Sequence, residues 1–298
     1  MTDRGTLESY ALLTATTLCW GLNAVFSKMA VGEVSPMMVV LGRWVGVMLL
    51  CLIFLRPKLI RDWPVLKQHL PFLAAMGAIG FTGFNAFFYI AAHSTTALNI
   101  GILQGSIPVF VLVGAWIVYR RPIVPVQVIG VLITMAGVII IGTHGSLSRL
   151  ASLAFNHGDL LMLVACLFYA SYTVGLQRRP QVSPLSIFGV MASAAFVVSI
   201  PLAVSEAVWG AFQIPTMKGW TIIALIAVLP SFIAQIFFIQ GVDRIGAGRA
   251  GIFVNLVPIF AAGLAVLILG EDFRFYHAAA IALVLFGIFL SERFKPAG

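Results

Sequence analysis

Gly101-Ile102-Leu103-Gln104-Gly105-Ser106-Ile107-Pro108-Val109-Phe110 returns 150 residues later (251 minus 101) as Gly251-Ile252-Phe253-Val254-Asn255-Leu256-Val257-Pro258-Ile259-Phe260, an apolar helical stretch with its proline at the same place. The runs that follow the two copies end differently. The first ends in the basic Tyr119-Arg120-Arg121-Pro122, the second in the acidic Gly270-Glu271-Asp272-Phe273. Basic segments beside apolar helices stay in the cytoplasm, so the two copies are expected to face opposite ways across a membrane.

Composition fixes the solvent. Of 298 residues, 61% are hydrophobic and 9% charged, and the mean hydropathy is +1.05, so most of the surface must meet lipid. Apolar stretches of about 18 to 23 residues can each cross ~30 Å of hydrocarbon as helix. They predict an all-α polytopic membrane protein with ten spans: 8–30, 36–55, 71–92, 97–119, 124–142, 158–177, 184–204, 219–240, 248–269 and 276–292. The loops between them are too short for a soluble domain.

Lysine and arginine placement sets the orientation. With the N-terminus inside, thirteen cations fall on the cytoplasmic side, Arg120, Arg121, Arg178, Arg179, Arg244 and Arg249 among them, against Lys28, Arg149, Lys218 and Arg274 on the other, with Arg43 inside a helix. Both termini are then cytoplasmic. Residues 1–145 and 146–298 form two five-helix repeats of one transmembrane domain, and an odd helix number makes the second repeat inverted. Inverted repeats are the architecture of secondary transporters, because two opposed halves can build alternating gates around one midplane site. The net charge of +8 reports topology and contact with anionic lipid, and no nucleic-acid partner is expected. The first span is too long for a cleaved leader and no small-x-small site follows it. Cys19, Cys51 and Cys166 lie in predicted helices at no metal-ligand spacing and read as packing residues.

The early helices of the halves correspond as well. Leu18-Cys19-Trp20-Gly21-Leu22-Asn23 matches Leu167-Phe168-Tyr169-Ala170-Ser171-Tyr172, Ser35-Pro36 matches Ser183-Pro184, Asn85-Ala86-Phe87-Phe88 matches Gln235-Ile236-Phe237-Phe238, and Gly137 aligns with Gly287. Trp20-Gly21-Leu22-Asn23 followed by Lys28, the Arg43-Trp44 pair and the duplicated proline-bearing helices resemble the EamA-type members of the drug/metabolite transporter superfamily over nearly the whole chain. The aromatic third and sixth helices resemble, more narrowly, bacterial aromatic amino-acid exporters. The resemblance implies a ten-helix fold in the bacterial inner membrane, with a central cavity made mainly by the first four helices of each half. It fixes substrate poorly. The second repeat departs from the first: Tyr169 stands for Trp20, Tyr172 for Asn23 and Met191 for Arg43.

Polar side chains at membrane depth are costly unless they pair or meet water, so they are the first candidates for a pathway. Thr16, Trp20, Asn23 and Ser27 share a face of the first helix, and Phe81, Asn85, Phe88 and Tyr89 cluster in the third. Tyr169, Tyr172 and Thr173 in the sixth, Gln104 in the fourth, Gln235 in the eighth and Asn255 in the ninth complete the set. The expected substrate-binding residues are Trp20, Asn23, Asn85, Phe88, Tyr89, Gln104, Tyr169, Tyr172, Gln235 and Asn255, enclosing a cavity suited to a ring with polar groups. The competing reading makes the same groups interhelical glue, at about 0.6 kcal/mol per hydrogen bond. Pro108 and Pro258 free helix carbonyls and are expected hinges. Arg43 is expected to pair with backbone carbonyls or to snorkel, as is Lys28, or to meet a substrate carboxylate.

All ten acidic residues fall in or near loops or helix ends, so no midplane carboxylate offers a proton carrier or a counter-ion for a cationic drug. Zwitterionic or neutral cargo is favoured, and a downhill path needs no relay. Gly246-x-Gly248-x-x-Gly251 fits a dinucleotide fingerprint by letter only, with no preceding strand. No phosphate-loop lysine motif, nucleophile–base pair or clustered histidines argue for a cofactor, a metal or an enzyme. The chain reads as a functional monomer that exports aromatic or other hydrophobic amino acids. Another small metabolite or drug as cargo, or a passive channel, are the alternatives. A fluorescent protein fused after Gly298 is expected to fluoresce, and alkaline phosphatase to be active when fused at Ile214 but not at Gly298. The reverse pattern inverts the topology.

Overall fold

The computed structural model describes residues 4–120, 123–146, 156–210, 212–245 and 253–293. The Gly246/Gly248/Gly251 run and the start of the second proline repeat, Gly251-Ile252, lie outside them. The described residues are helical throughout, without a strand, in ten stretches: α1 (Arg4–Ala30), α2 (Pro36–Phe54), α3 (Arg56–Ala91), α4 (Ala97–Tyr119), α5 (Pro125–Gly142), α6 (His157–Arg178), α7 (Pro184–Val208), α8 (Met217–Ile245), α9 (Val257–Leu269) and α10 (Phe275–Arg293). Six of these, α2, α3, α4, α6, α7 and α8, are long and apolar enough to cross a membrane, and three shorter apolar helices lie in α5, α9 and α10. The chain is a multi-pass membrane protein.

Helix starts follow from local chemistry. Proline occupies the first turn of α2, α7 and α9, where its missing N–H has no partner to lose. Thr96 caps α4, Asn156 caps α6 and Thr216 caps α8 through side-chain oxygens. The polar α1 is an interior helix packed on α8 and α9. Its Thr16 hydroxyl donates to Leu12 O at 2.9 Å and lies 3.2 Å from Ala234 O of α8. Outward faces carry exposed Leu132, Val197, Val204 and Leu267, as lipid contact requires.

Each packing has a counterpart with the halves exchanged. As α1 lies on α8 and α9, α6 lies on α3 and α4; α2 and α7 pack together, α2 against the middle of α8 and α7 against the middle of α3. The helices α5 and α10 pair with one another. Small residues permit the close crossings. A Cβ at Gly287 would stand 2.5 Å from Gly130 O and 2.7 Å from Thr134 N, and one at Gly137 would stand 2.9 Å from Ala280 O.

Three features depart from the span reading. The third span was expected at 71–92, yet α3 begins at Arg56 with an amphipathic segment, Arg56–Leu66, whose charges lower its hydropathy while Leu59 packs against Gly189 of α7. The fourth span is not one continuous α-helix. A tighter turn, Gln104–Ser106, divides Ala97–Leu103 from Ile107–Tyr119, because Pro108 cannot donate to the carbonyl of Gln104. Both α3 and α8 contain wide π-type turns, at Ala78–Gly83 and Ala227–Ile233. Such turns often mark functional positions.

Replacing Gly287 by valine forces α5 and α10 apart and is expected to lower stability by about 1–3 kcal/mol, seen as an earlier thermal unfolding transition in detergent. An unchanged transition would show that the crossing relaxes freely.

Candidate functional site

Each wide turn frees backbone carbonyls, and side chains take them up. In α8, Pro230 has no N–H for Ile226 O, and the Ser231 hydroxyl donates to that oxygen at 2.5 Å. The Trp20 indole then donates to Pro230 O across the gap from α1 at 3.2 Å. In α3, Asn85 Nδ2 donates to Phe81 O at 2.6 Å and Thr82 donates to Ala195 O of α7 at 2.9 Å. Gly80 in that turn leaves no room for a Cβ beside the Tyr172 ring. In α4 the break leaves Leu103 O to the Ser106 hydroxyl at 2.8 Å and the Cys166 thiol at 3.5 Å.

These breaks surround a cavity of about 950 Å³ between the halves. Of the residues expected to form the site, Trp20, Asn23, Asn85, Gln104, Tyr169, Tyr172, Gln235 and Asn255 line it, as do Pro108 and Pro258. Phe88 and Tyr89 do not. Phe88 is wholly buried against Phe84 and Tyr89, and the Tyr89 hydroxyl points into a polar cluster behind the wall. Helical periodicity put both on the Asn85 face; Tyr89 does share it and meets Arg43 beside Asn85, but its hydroxyl is taken up inside the cluster, and Phe88 is taken up by packing against neighbouring rings.

Arg43 organises that cluster. It is only 7% exposed, so it does not snorkel, and it binds side chains rather than backbone carbonyls. Its Nη1 donates to Asn85 Oδ1 at 2.6 Å and to the Tyr89 hydroxyl at 2.9 Å, with Asn23 Oδ1 at 3.4 Å. The Tyr89 hydroxyl donates onward to Asn23 at 3.1 Å. No carboxylate pairs with Arg43 among the described residues. Its Nε, and the indole Nε1 of the adjacent Trp44, are buried donors without a partner, and both residues line the cavity. Trp44 stacks on Phe81 at 4.8 Å and 8°, and the guanidinium sits 5.3 Å from the Trp44 ring centre. Phe81 leads on to Tyr172, and Tyr169 packs against Tyr172 and Phe84, which makes a continuous aromatic wall. Sequence reading missed Trp44, Phe84 and Phe238 as wall residues; Trp44 was legible only as the neighbour of an intramembrane arginine.

The cavity runs from Arg43 toward the end that carries Arg179 and Asp243, which also line it. The opposite end is tied shut. Lys28 does hold backbone carbonyls there, Ala92 O at 3.0 Å and Thr95 O at 2.8 Å. Glu271 accepts from Ala97 N and Leu98 N at the start of α4, both at 2.9 Å, and Glu206 accepts from Met37 N at the start of α2 at 3.2 Å. Each carboxylate meets the positive end of a helix in the other half. Glu33 binds Lys218 at 3.0 Å and the Thr216 hydroxyl, and these partners hold its carboxyl below the usual carboxylate range. Asp159, expected near a helix end, is buried there under Thr95 and Asn99.

Comparison with known proteins gives the family and the fold. The model of the EamA-like transporter family matches the chain twice, over residues 8–143 and 156–293. The chain is 27% identical over 289 residues, 95% of its own length and 92% of the relative's, to the uncharacterized transporter YyaM of Bacillus subtilis. It is 28% identical to the uncharacterized transporter YetK of the same organism, covering 96% of this chain and 87% of that one. An uncharacterized transporter of Archaeoglobus fulgidus is 27% identical over 95% of this chain and 97% of its own. A solved crystal structure with 19% identity shares the fold, with a TM-score of 0.62 over 98% of each chain. The chain belongs to the EamA-like transporter family.

Proposed function

We propose that the protein is a ten-helix secondary transporter, built of two inverted repeats at residues 1–145 and 146–298, that carries aromatic or other hydrophobic amino acids out of the cytoplasm across the bacterial inner membrane. It works as a monomer by alternating access, with both termini cytoplasmic. The exchange of packing partners between the halves and the wide turns at matching positions of α3 and α8 support the repeat. The charge bias supports a cytoplasmic position for the Arg179 end of the cavity, where an exporter at rest must admit cargo.

The observation that carries the substrate reading is the lining of the cavity. Its volume falls in the range of small-molecule sites, and its wall sets Trp20, Tyr169 and Tyr172 beside Asn23, Gln104, Gln235 and Asn255. Rings stack or pack on the aromatics, and amides supply both donors and acceptors to a zwitterion. Closure of one end while the other is open supports alternating access over a channel. Pro108 and Pro258, each in the first turn after a helix break, are where the two halves would flex. Among the described residues no acidic side chain stands beside Arg43 in the cavity, which supports movement down the cargo gradient rather than proton coupling.

Purified protein in liposomes is expected to pass labelled phenylalanine, tyrosine, tryptophan and leucine at rates independent of an imposed proton gradient and well above empty liposomes. Absence of any amino-acid flux from folded, inserted protein would overturn the substrate assignment.

A further inference from the structure

The three hydrogen bonds of Arg43 all leave from Nη1. Nε is buried without a partner, and Nη2 makes no hydrogen bond among the described residues. The Nε–Nη2 edge of a guanidinium is a planar pair of donors spaced to meet both oxygens of one carboxylate. Here that edge belongs to a side chain more than nine-tenths buried in the wall of the cavity. A second buried donor without a partner, Trp44 Nε1, lies on the next residue of the same wall. Asn85, Tyr89 and Asn23 hold the opposite corner of the guanidinium, so its direction is set before any ligand arrives.

The charge points the same way. Among the described residues Arg43 meets only neutral oxygens, and burying a cation among them leaves a net positive charge for an anion to neutralise. The acidic residue among the cavity lining, Asp243, stands at the Arg179 end of α8. An α-ammonium group therefore meets amide oxygens and hydroxyls beside Arg43, while a carboxylate meets a charge and a fork of donors.

From this geometry we infer that Arg43 and Trp44 form a carboxylate-binding subsite, and that the recognised cargo is a ring-bearing or large apolar monocarboxylate, in which the carboxylate is required and the α-amino group is not. The inference rests on the transport reading and deepens it. The aromatic wall of Trp44, Phe81 and Tyr172 starts at the guanidinium, so a cargo ring packs within one molecule's length of its own carboxylate.

Binding of four ring-matched probes, 3-phenylpropionate, phenylalanine, phenylalaninamide and phenethylamine, is to be measured by calorimetry on the protein in lipid nanodiscs. Liposome flux of the labelled probes is measured alongside. The two acids are expected to bind at least about tenfold tighter than the amide and the amine, since a bidentate charged contact is lost in the latter. Arg43→Gln removes that preference, Arg43→Lys keeps part of it as a point charge without the fork, and Trp44→Phe weakens both acids by about threefold while keeping the ring. Trp44→Phe leaves the Arg43 cluster intact and serves as the second test where Arg43→Gln does not fold. Equal binding of acid and amide by the unaltered protein, undiminished acid preference in a folded Arg43→Gln variant, or no acid binding at all would overturn the subsite. Flux of 3-phenylpropionate without phenylalanine would keep the subsite and remove the amino-acid reading; flux of phenylalanine together with its amide would do the opposite.

Discussion

A guanidinium buried among helices with no carboxylate to balance it among the described residues is the constraint from which the rest of the interior follows. An arginine at membrane depth costs about 3 kcal/mol or more unless it pairs or meets water. Arg43 recovers part of that by tying α2 to Asn23 of α1 and to Asn85 and Tyr89 of α3. Three helices of the first half are fixed around one nitrogen. Arg43 also lines the cavity, so the same side chain that organises the bundle sets the charge of the site. Met191 stands where the sequence repeat would put a second arginine, so the charge of the site is not repeated in the second half of the chain.

The cavity exists because the helices around it are interrupted. Pro108 and Pro230 each remove a helix donor; beside the first, Ser106 and Cys166 donate to Leu103 O, and at the second, Ser231 donates to Ile226 O. The wide turn of α8 presents Pro230 O to Trp20, and the wide turn of α3 opens at Gly80 to admit the Tyr172 ring. Backbone polarity that would be ruinous against lipid is tolerated because it lines an enclosed space or is satisfied by a neighbour. The shut end uses another device: Glu206 and Glu271 accept from the helix N-termini at Met37, Ala97 and Leu98.

Much of this was legible in the chain. Helical class, most span positions and eight of the ten expected site residues at the cavity wall follow from hydropathy, period and the internal repeat, because lipid imposes a strict code on outward faces. The failures have physical causes. Phe88 and Tyr89 sit behind the wall because the Tyr89 hydroxyl is spent on Arg43 and Asn23 and the Phe88 ring on its aromatic neighbours, tertiary contacts that a helical period does not register. The segment Arg56–Leu66 escaped because its charges hide an amphipathic helix from a hydropathy sum. Arg43 was visible as an oddity, but its partners lie 20 to 46 residues away in sequence, and only the packed structure brings them to one nitrogen.

The central claim is that residue 43 faces a water-filled cavity reached from one end. Cysteine at this position, in a chain whose Cys19, Cys51 and Cys166 are replaced by alanine, can be tested with a membrane-impermeant methanethiosulfonate in inside-out and right-side-out vesicles. The account predicts modification from the cytoplasmic face alone, in the resting protein. Modification from the opposite face, or from neither, would contradict it.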